Sequence, residues 1–154
     1  MACGLPVEAE LGTVGGKEDG MEAKPQYTDP DEAADFVSRT GISSFAVAIG
    51  TAHGVYKAKA IPEISFKALS EIRAAVDTPL VLHGGSGSGD DNLRRCAREG
   101  ICKVNVYTDL YLAAMAAAAQ AKAGDYLALR NALKRGMSDC LKHYYSVFET
   151  RRIK

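Results

Sequence analysis

Short apolar runs alternate along this chain with stretches of helical periodicity. Pro6-Val-Glu-Ala-Glu-Leu11 alternates and reads as a strand ended by Gly12, with Glu8 and Glu10 on one face. Ser44-Phe-Ala-Val-Ala-Ile49 is almost continuously apolar, the form of a parallel strand covered on both faces. Pro79-Leu-Val-Leu-His83 and Ile101-Cys-Lys-Val-Asn-Val106 supply a third and a fourth strand. Asp29-Pro-Asp-Glu32 opens a helix with a capping aspartate, a proline at the first position and acids in the first turn. That helix carries Ala33, Ala34, Phe36 and Val37 inward and stops before Gly41. A second helix is expected from about Ser65 to Val76, on Leu69 and Ile72. A third is expected from a cap at Asp90 or Asp91 to Gly100. Two more are expected over Asp109 to Ala123 and Asp125 to Tyr145, separated by Gly124. Gly12 to Tyr27 and Gly50 to Pro62 read as long loops.

The order is strand, loop, helix, repeated four times, which implies a parallel sheet with right-handed crossovers. Four such units are half of a (β/α)8 barrel, which takes about 250 residues when complete, or a small open sheet. The 154 residues are 47% hydrophobic and 25% charged, enough for a core in one domain spanning 1–154. Nineteen basic residues cancel nineteen acidic ones, so net charge points to neither nucleic acid nor an anionic membrane as partner. No apolar run approaches the roughly 20 residues of a membrane helix, and Leu112 to Ala119 is short and mostly alanine. The N-terminus lacks a charged region followed by an apolar one, so the expected compartment is the cytoplasm. The scattered cysteines, Cys3, Cys96, Cys102 and Cys140, read as reduced thiols, with Cys96 and Cys102 buried. The basic tail Arg151 to Lys154 is expected to be exposed.

Sites in such folds gather at the C-terminal ends of the strands. His53 follows the second strand, His83 ends the third, and Asn105 lies near the end of the fourth, with Thr108 after it. Imidazole and carboxylate are zinc ligands, so His53, His83 and Glu10 form a candidate site if the strand ends adjoin. The plainer alternatives are an exposed loop histidine at 53 and a satisfied core histidine at 83. Gly84-Gly-Ser-Gly-Ser-Gly89 joins a strand to a helix, where backbone N–H groups can close on an anion. It is neither a P-loop nor a dinucleotide fingerprint, and a flexible turn is the alternative. Asn105 to Thr108 would add donors to the same anion. Gly15-Gly-Lys-Glu-Asp-Gly20 puts charge on a glycine-hinged segment that can close over a substrate, or is simply solvated. The alanines from Ala113 to Ala123 favour a packing helix.

Taken together, Val7-Glu-Ala-Glu-Leu-Gly12 with Gly15 to Gly20, Ala48-Ile-Gly-Thr-Ala-His-Gly-Val-Tyr-Lys57, Leu82-His-Gly-Gly-Ser-Gly87 and Lys103-Val-Asn-Val-Tyr-Thr108 resemble one family. It is the class II, zinc-dependent ketose-bisphosphate aldolases, covering fructose- and tagatose-bisphosphate aldolases. The resemblance runs in order from about residue 5 to the C-terminal helix. It implies a (β/α)8 barrel, of which this chain holds the last four βα units as a half-barrel. It also implies reversible cleavage of fructose or tagatose 1,6-bisphosphate to dihydroxyacetone phosphate and glyceraldehyde 3-phosphate. Zinc would polarise the dihydroxyacetone phosphate carbonyl as a Lewis acid. By the same resemblance His53 and His83 match zinc ligands, and Glu10 matches a glutamate of an alternative metal position. Glu18 matches a loop glutamate that moves a proton. Gly54, Gly84, Gly85 and Ser86 match positions that hold phosphate and a monovalent cation. Asn105 matches a contact to the dihydroxyacetone moiety, and Val106, Tyr107 and Thr108 match the adjoining phosphate-binding turn.

The sequence also departs from the family pattern. The family's catalytic aspartate and first zinc histidine form an Asp-His pair, whereas His53, His83 and His143 follow Ala52, Leu82 and Lys142 here. Lys17 stands where some relatives carry a second glutamate. The expected protein is therefore the C-terminal half of a class II aldolase. It would work as a homo-oligomer or with a chain supplying barrel strands one to four. The alternative is an inactive half-barrel, or a non-catalytic partner subunit of another aldolase chain.

Overall fold

In the computed structural model the described residues are 4–18, 21–23, 26–53, 63–121 and 124–151, with backbone alone at 15–18, 21–23 and 53. The chain divides into two compact units, Met1–Asn105 and Val106–Lys154.

The first unit is built on four parallel strands: β1 (Glu8–Leu11), β4 (Ser44–Val47), β6 (Leu80–Leu82) and β7 (Ile101–Val104). They lie side by side in chain order. A doubly wound sheet reverses its order at a switch point, and this one winds in a single direction. Three helices make the returns: α1 (Pro30–Thr40), α2 (Phe66–Ala75) and α3 (Asp90–Arg98).

Local sequence starts and stops these helices. Asp29 Oδ1 accepts from the N–H groups of Asp31 at 2.9 Å and Glu32 at 3.1 Å, and Pro30 occupies the first turn, where its missing N–H costs nothing. Gly41, in the left-handed region at φ 60°, closes α1 by donating its N–H to the Val37 carbonyl. Ser65 caps α2 by accepting from the Ala68 N–H at 3.2 Å. At α3 the cap differs from expectation. Gly89 holds that position with no side-chain bond, and Asp90 and Asp91 sit in the first turn, where their charge faces the positive end of the helix dipole.

One face of the sheet is packed by the helices. Phe45, Val47, Leu80 and Leu82 are fully buried, with Leu69 and Ile72 from α2 and Leu93 and Cys96 from α3. The Phe36 ring of α1 lies against Phe45, with centroids 5.9 Å apart.

Three further expectations are corrected. The segment Gly12 to Tyr27 is not all loop: β2 (Gly15–Glu18) and β3 (Met21–Ala23) pair antiparallel. β2 also pairs in parallel with β5 (Ala52–His53), inside the second expected loop, to make a small sheet ordered β3-β2-β5. These strands are short and hold few apolar residues, so periodicity does not reveal them. Cys102 is exposed, not buried, although Cys96 is buried. The pairing runs Leu80 to Ile101 and then Val81 to Lys103, so Cys102 is the extra residue of a register shift.

The second unit is a helix pair, α4 (Thr108–Ala121) and α5 (Tyr126–Val147), the latter capped by Asp125. It packs through small residues: a Cβ at Gly136 would lie 2.4 Å from the Ala113 carbonyl oxygen and 2.8 Å from the Ala117 Cβ. Tyr144 donates its hydroxyl hydrogen bond to Asp109. Among the described residues no helix is long and apolar enough to cross a membrane.

Candidate active site

The face of the parallel sheet away from the helices carries the polar side chains. Register places Glu8 beside Ser44, and Glu10, Ala46, Val81 and Lys103 in one row across the four strands. In a flat sheet three strand spacings separate β1 from β7 by about 14 Å. Yet Lys103 Nζ lies 2.9 and 2.8 Å from the two Glu8 carboxylate oxygens. The sheet is therefore curled toward this face. Small side chains at Ser44 and Ala46 leave room for the charged pair.

His83, immediately after β6, joins the same cluster. Its Nδ1 lies 3.2 Å from Glu10 Oε2 and its Nε2 lies 3.1 Å from Glu8 Oε1. The imidazole is 17% exposed and Lys103 is 51% exposed. The Lys103 hydrogen bond holds the Glu8 carboxyl below its ordinary range, against an opposing push from burial, and His83 lowers it further.

His53 reaches this neighbourhood through its backbone. A Cβ at Gly84 would lie 2.7 Å from the Ala52 carbonyl oxygen, so glycine is what lets the two chain segments approach. Gly84 also has φ 66°, in the left-handed region that glycine tolerates. His53 follows Ala52 and His83 precedes Gly84, so the two histidines flank one close backbone contact. β2 pairs Gly16 with His53, which brings the strand bearing Glu18 alongside. Gly54 lies outside the described residues.

The turn after His83 is fastened from within. Gly85 donates its N–H to the Asn105 carbonyl at 3.0 Å, and Asn105 donates its own to the Leu82 carbonyl at 2.9 Å. Ser88 donates its hydroxyl to the Gly84 carbonyl at 3.1 Å, and Ser86 and Ser88 are both buried. Thr51, between β4 and β5, is 1% exposed, and its hydroxyl has no hydrogen-bond partner among the described residues. A buried hydroxyl left in that state is costly, and a bound group is one way to satisfy it. Val106, Tyr107 and Thr108 belong to the second unit, where Thr108 opens α4 and the Tyr107 ring stacks on Tyr111.

Among the described residues no group of three His, Cys, Asp or Glu side chains is arranged to hold a metal ion. The facing pair His83 and Glu10 has zinc-type donor chemistry, and a catalytic zinc normally takes three protein ligands. Sequence reasoning gave no role to Lys103. Its signal was a lysine on the alternation of an otherwise apolar strand.

The sequence pattern of the family described as class-II fructose-bisphosphate aldolase matches residues 1–152. The chain belongs to that family. It is 44% identical over 138 residues to the uncharacterized protein YdjI of Escherichia coli K12, covering 88% of this chain and 49% of that one. It is 46% identical over 142 residues to the D-tagatose-1,6-bisphosphate aldolase subunit GatY of Klebsiella oxytoca, covering 90% of this chain and 41% of that one. The crystal structure of the YdjI aldolase superposes with a TM-score of 0.80 at 39% identity, over 96% of this chain and 50% of that one. Fructose-bisphosphate aldolase from Campylobacter jejuni shares the fold at 20% identity, with a TM-score of 0.70 over 96% of this chain and 52% of that one. The chain thus spans about half the length of the relatives it matches.

Proposed function

We propose that this chain forms the last four βα units of a class II aldolase (β/α)8 barrel and carries the zinc-binding side of a ketose-bisphosphate aldolase site. The carrying observation is His83, held against Glu10 and Glu8 one residue from the Gly84–Ala52 contact that His53 flanks. Family membership, the likeness to GatY and the single direction of sheet winding support the reading. The substrate is fructose or tagatose 1,6-bisphosphate. His53 and His83 hold zinc, with Glu10 as an alternative ligand, and zinc when bound supplies Lewis-acid polarisation of a carbonyl. Gly54, Gly84, Gly85, Ser86 and Asn105 hold the phosphorylated end of dihydroxyacetone phosphate, with a monovalent cation at the same turn. Val106, Tyr107 and Thr108 carry that role by resemblance alone. Glu18 moves the proton at the dihydroxyacetone carbon.

This chain has no Asp-His pair, so a segment bearing the first four strands must supply the missing acid and ligand. The test is a coupled aldolase assay on the purified chain, alone and after co-expression with such a segment from a relative. Background activity alone, activity in the complex, and its loss in His83→Ala are expected. A stable complex that cleaves neither bisphosphate would overturn the catalytic reading. It would favour the second one, a non-catalytic partner subunit, which the missing pair motivates.

A further inference from the structure

Glu8 and Lys103 come from the two outer strands of the parallel sheet, yet their side chains meet across β4 and β6. Both Glu8 oxygens are engaged by the ammonium, at 2.9 and 2.8 Å, and Ser44 Oγ stands 3.4 Å from Oε2. The oxygen that faces His83 Nε2 at 3.1 Å is one of those two. The carboxylate therefore cannot turn away from the imidazole without breaking its contact with Lys103. Glu10 holds the other side of the ring. Lys103 is half exposed, and exposed ion pairs contribute about 0–1 kcal/mol to stability, so folding alone gives little reason for this lysine.

We propose that Lys103 is a positioning residue: it clamps Glu8 so that the His83 imidazole is fixed at Nε2, leaving the Nδ1 edge turned toward Glu10 for a cation. This rests on the reading of His83 as a metal ligand. Metal-binding histidines commonly have their second ring nitrogen held by a carboxylate, and loss of that partner costs about 10–100-fold in metal affinity. A purely electrostatic role makes the opposite prediction, because removing a positive charge near a cation site tightens cation binding.

The test uses the full chain as Lys103→Met, Lys103→Arg and Glu8→Gln. Imidazole nitrogen shifts of the metal-free protein are read by long-range proton–nitrogen NMR, with His83 assigned through His83→Gln. Cobalt(II) affinity is then measured by optical titration. In K103M and E8Q the His83 nitrogens should move toward values for a solvent-exposed ring, and cobalt affinity should fall about 10–100-fold. K103R should restore both. Unmoved nitrogens in K103M, or unchanged or tighter cobalt binding there, would overturn the proposal. If the wild type binds no cobalt while K103M still shifts the His83 nitrogens, the clamp stands and the zinc reading falls.

Discussion

The two faces of the parallel sheet use the same strands for opposite purposes. Phe45, Val47, Leu80 and Leu82 point under the helices and are sealed from water. Their neighbours one residue along, Ser44, Ala46, Val81 and His83, point to the face where Glu8, Glu10 and Lys103 gather. The first face is held by apolar burial, which is non-directional and worth about 25 cal/mol per Å². The second also buries Ala46 and Val81, and beside them a few directional charged contacts are partly wet and energetically weak. Stability and site chemistry are thereby separated by the strand's two-residue period.

Substitutions can test that separation. The largest effect is expected at Leu82→Ala on the helix-covered face, a loss of about 2–5 kcal/mol in urea unfolding. K103M on the other face should cost under about 1 kcal/mol in the same measurement. Equal losses would mean that the faces are not distinct in energy.

Thr51→Val should act in the opposite direction. The hydroxyl is buried without a partner among the described residues, so replacing it with a methyl of similar shape should stabilise the ligand-free chain by about 1 kcal/mol. Thermal unfolding with and without inorganic phosphate would check this. A destabilised variant without phosphate would show that the hydroxyl is satisfied in the free protein.

The smallest effect is a pH dependence at Glu8. Its carboxyl is held below the ordinary 4.5, chiefly by Lys103. A depressed carboxyl contributes stability that is full above the ordinary value and is lost as pH falls through the folded one. The thermal midpoint of the wild type should therefore drop more steeply below pH 4.5 than that of Glu8→Gln. Parallel curves would remove Glu8 from the acid response.

Much of this architecture was legible in the chain itself. The parallel strands, the Asp29-Pro30 start and Gly41 stop of α1, the Ser65 cap and the shared face of Glu8 and Glu10 all follow from local periodicity and capping chemistry. His53 and His83 were candidates on the rule that sites in such folds lie at strand ends. Tertiary structure decided the rest. β2, β3 and β5 are too short and too polar to signal themselves and exist by pairing with one another. A register shift between β6 and β7 turned Cys102 outward, an offset that no single strand encodes. The contact between Glu8 and Lys103 spans 95 residues of sequence and arises from the curl of the sheet, which brings its outer strands together over Ala46 and Val81. Periodicity reports which face a residue takes; curvature and register, set by packing between elements distant in sequence, determine which residues on that face meet.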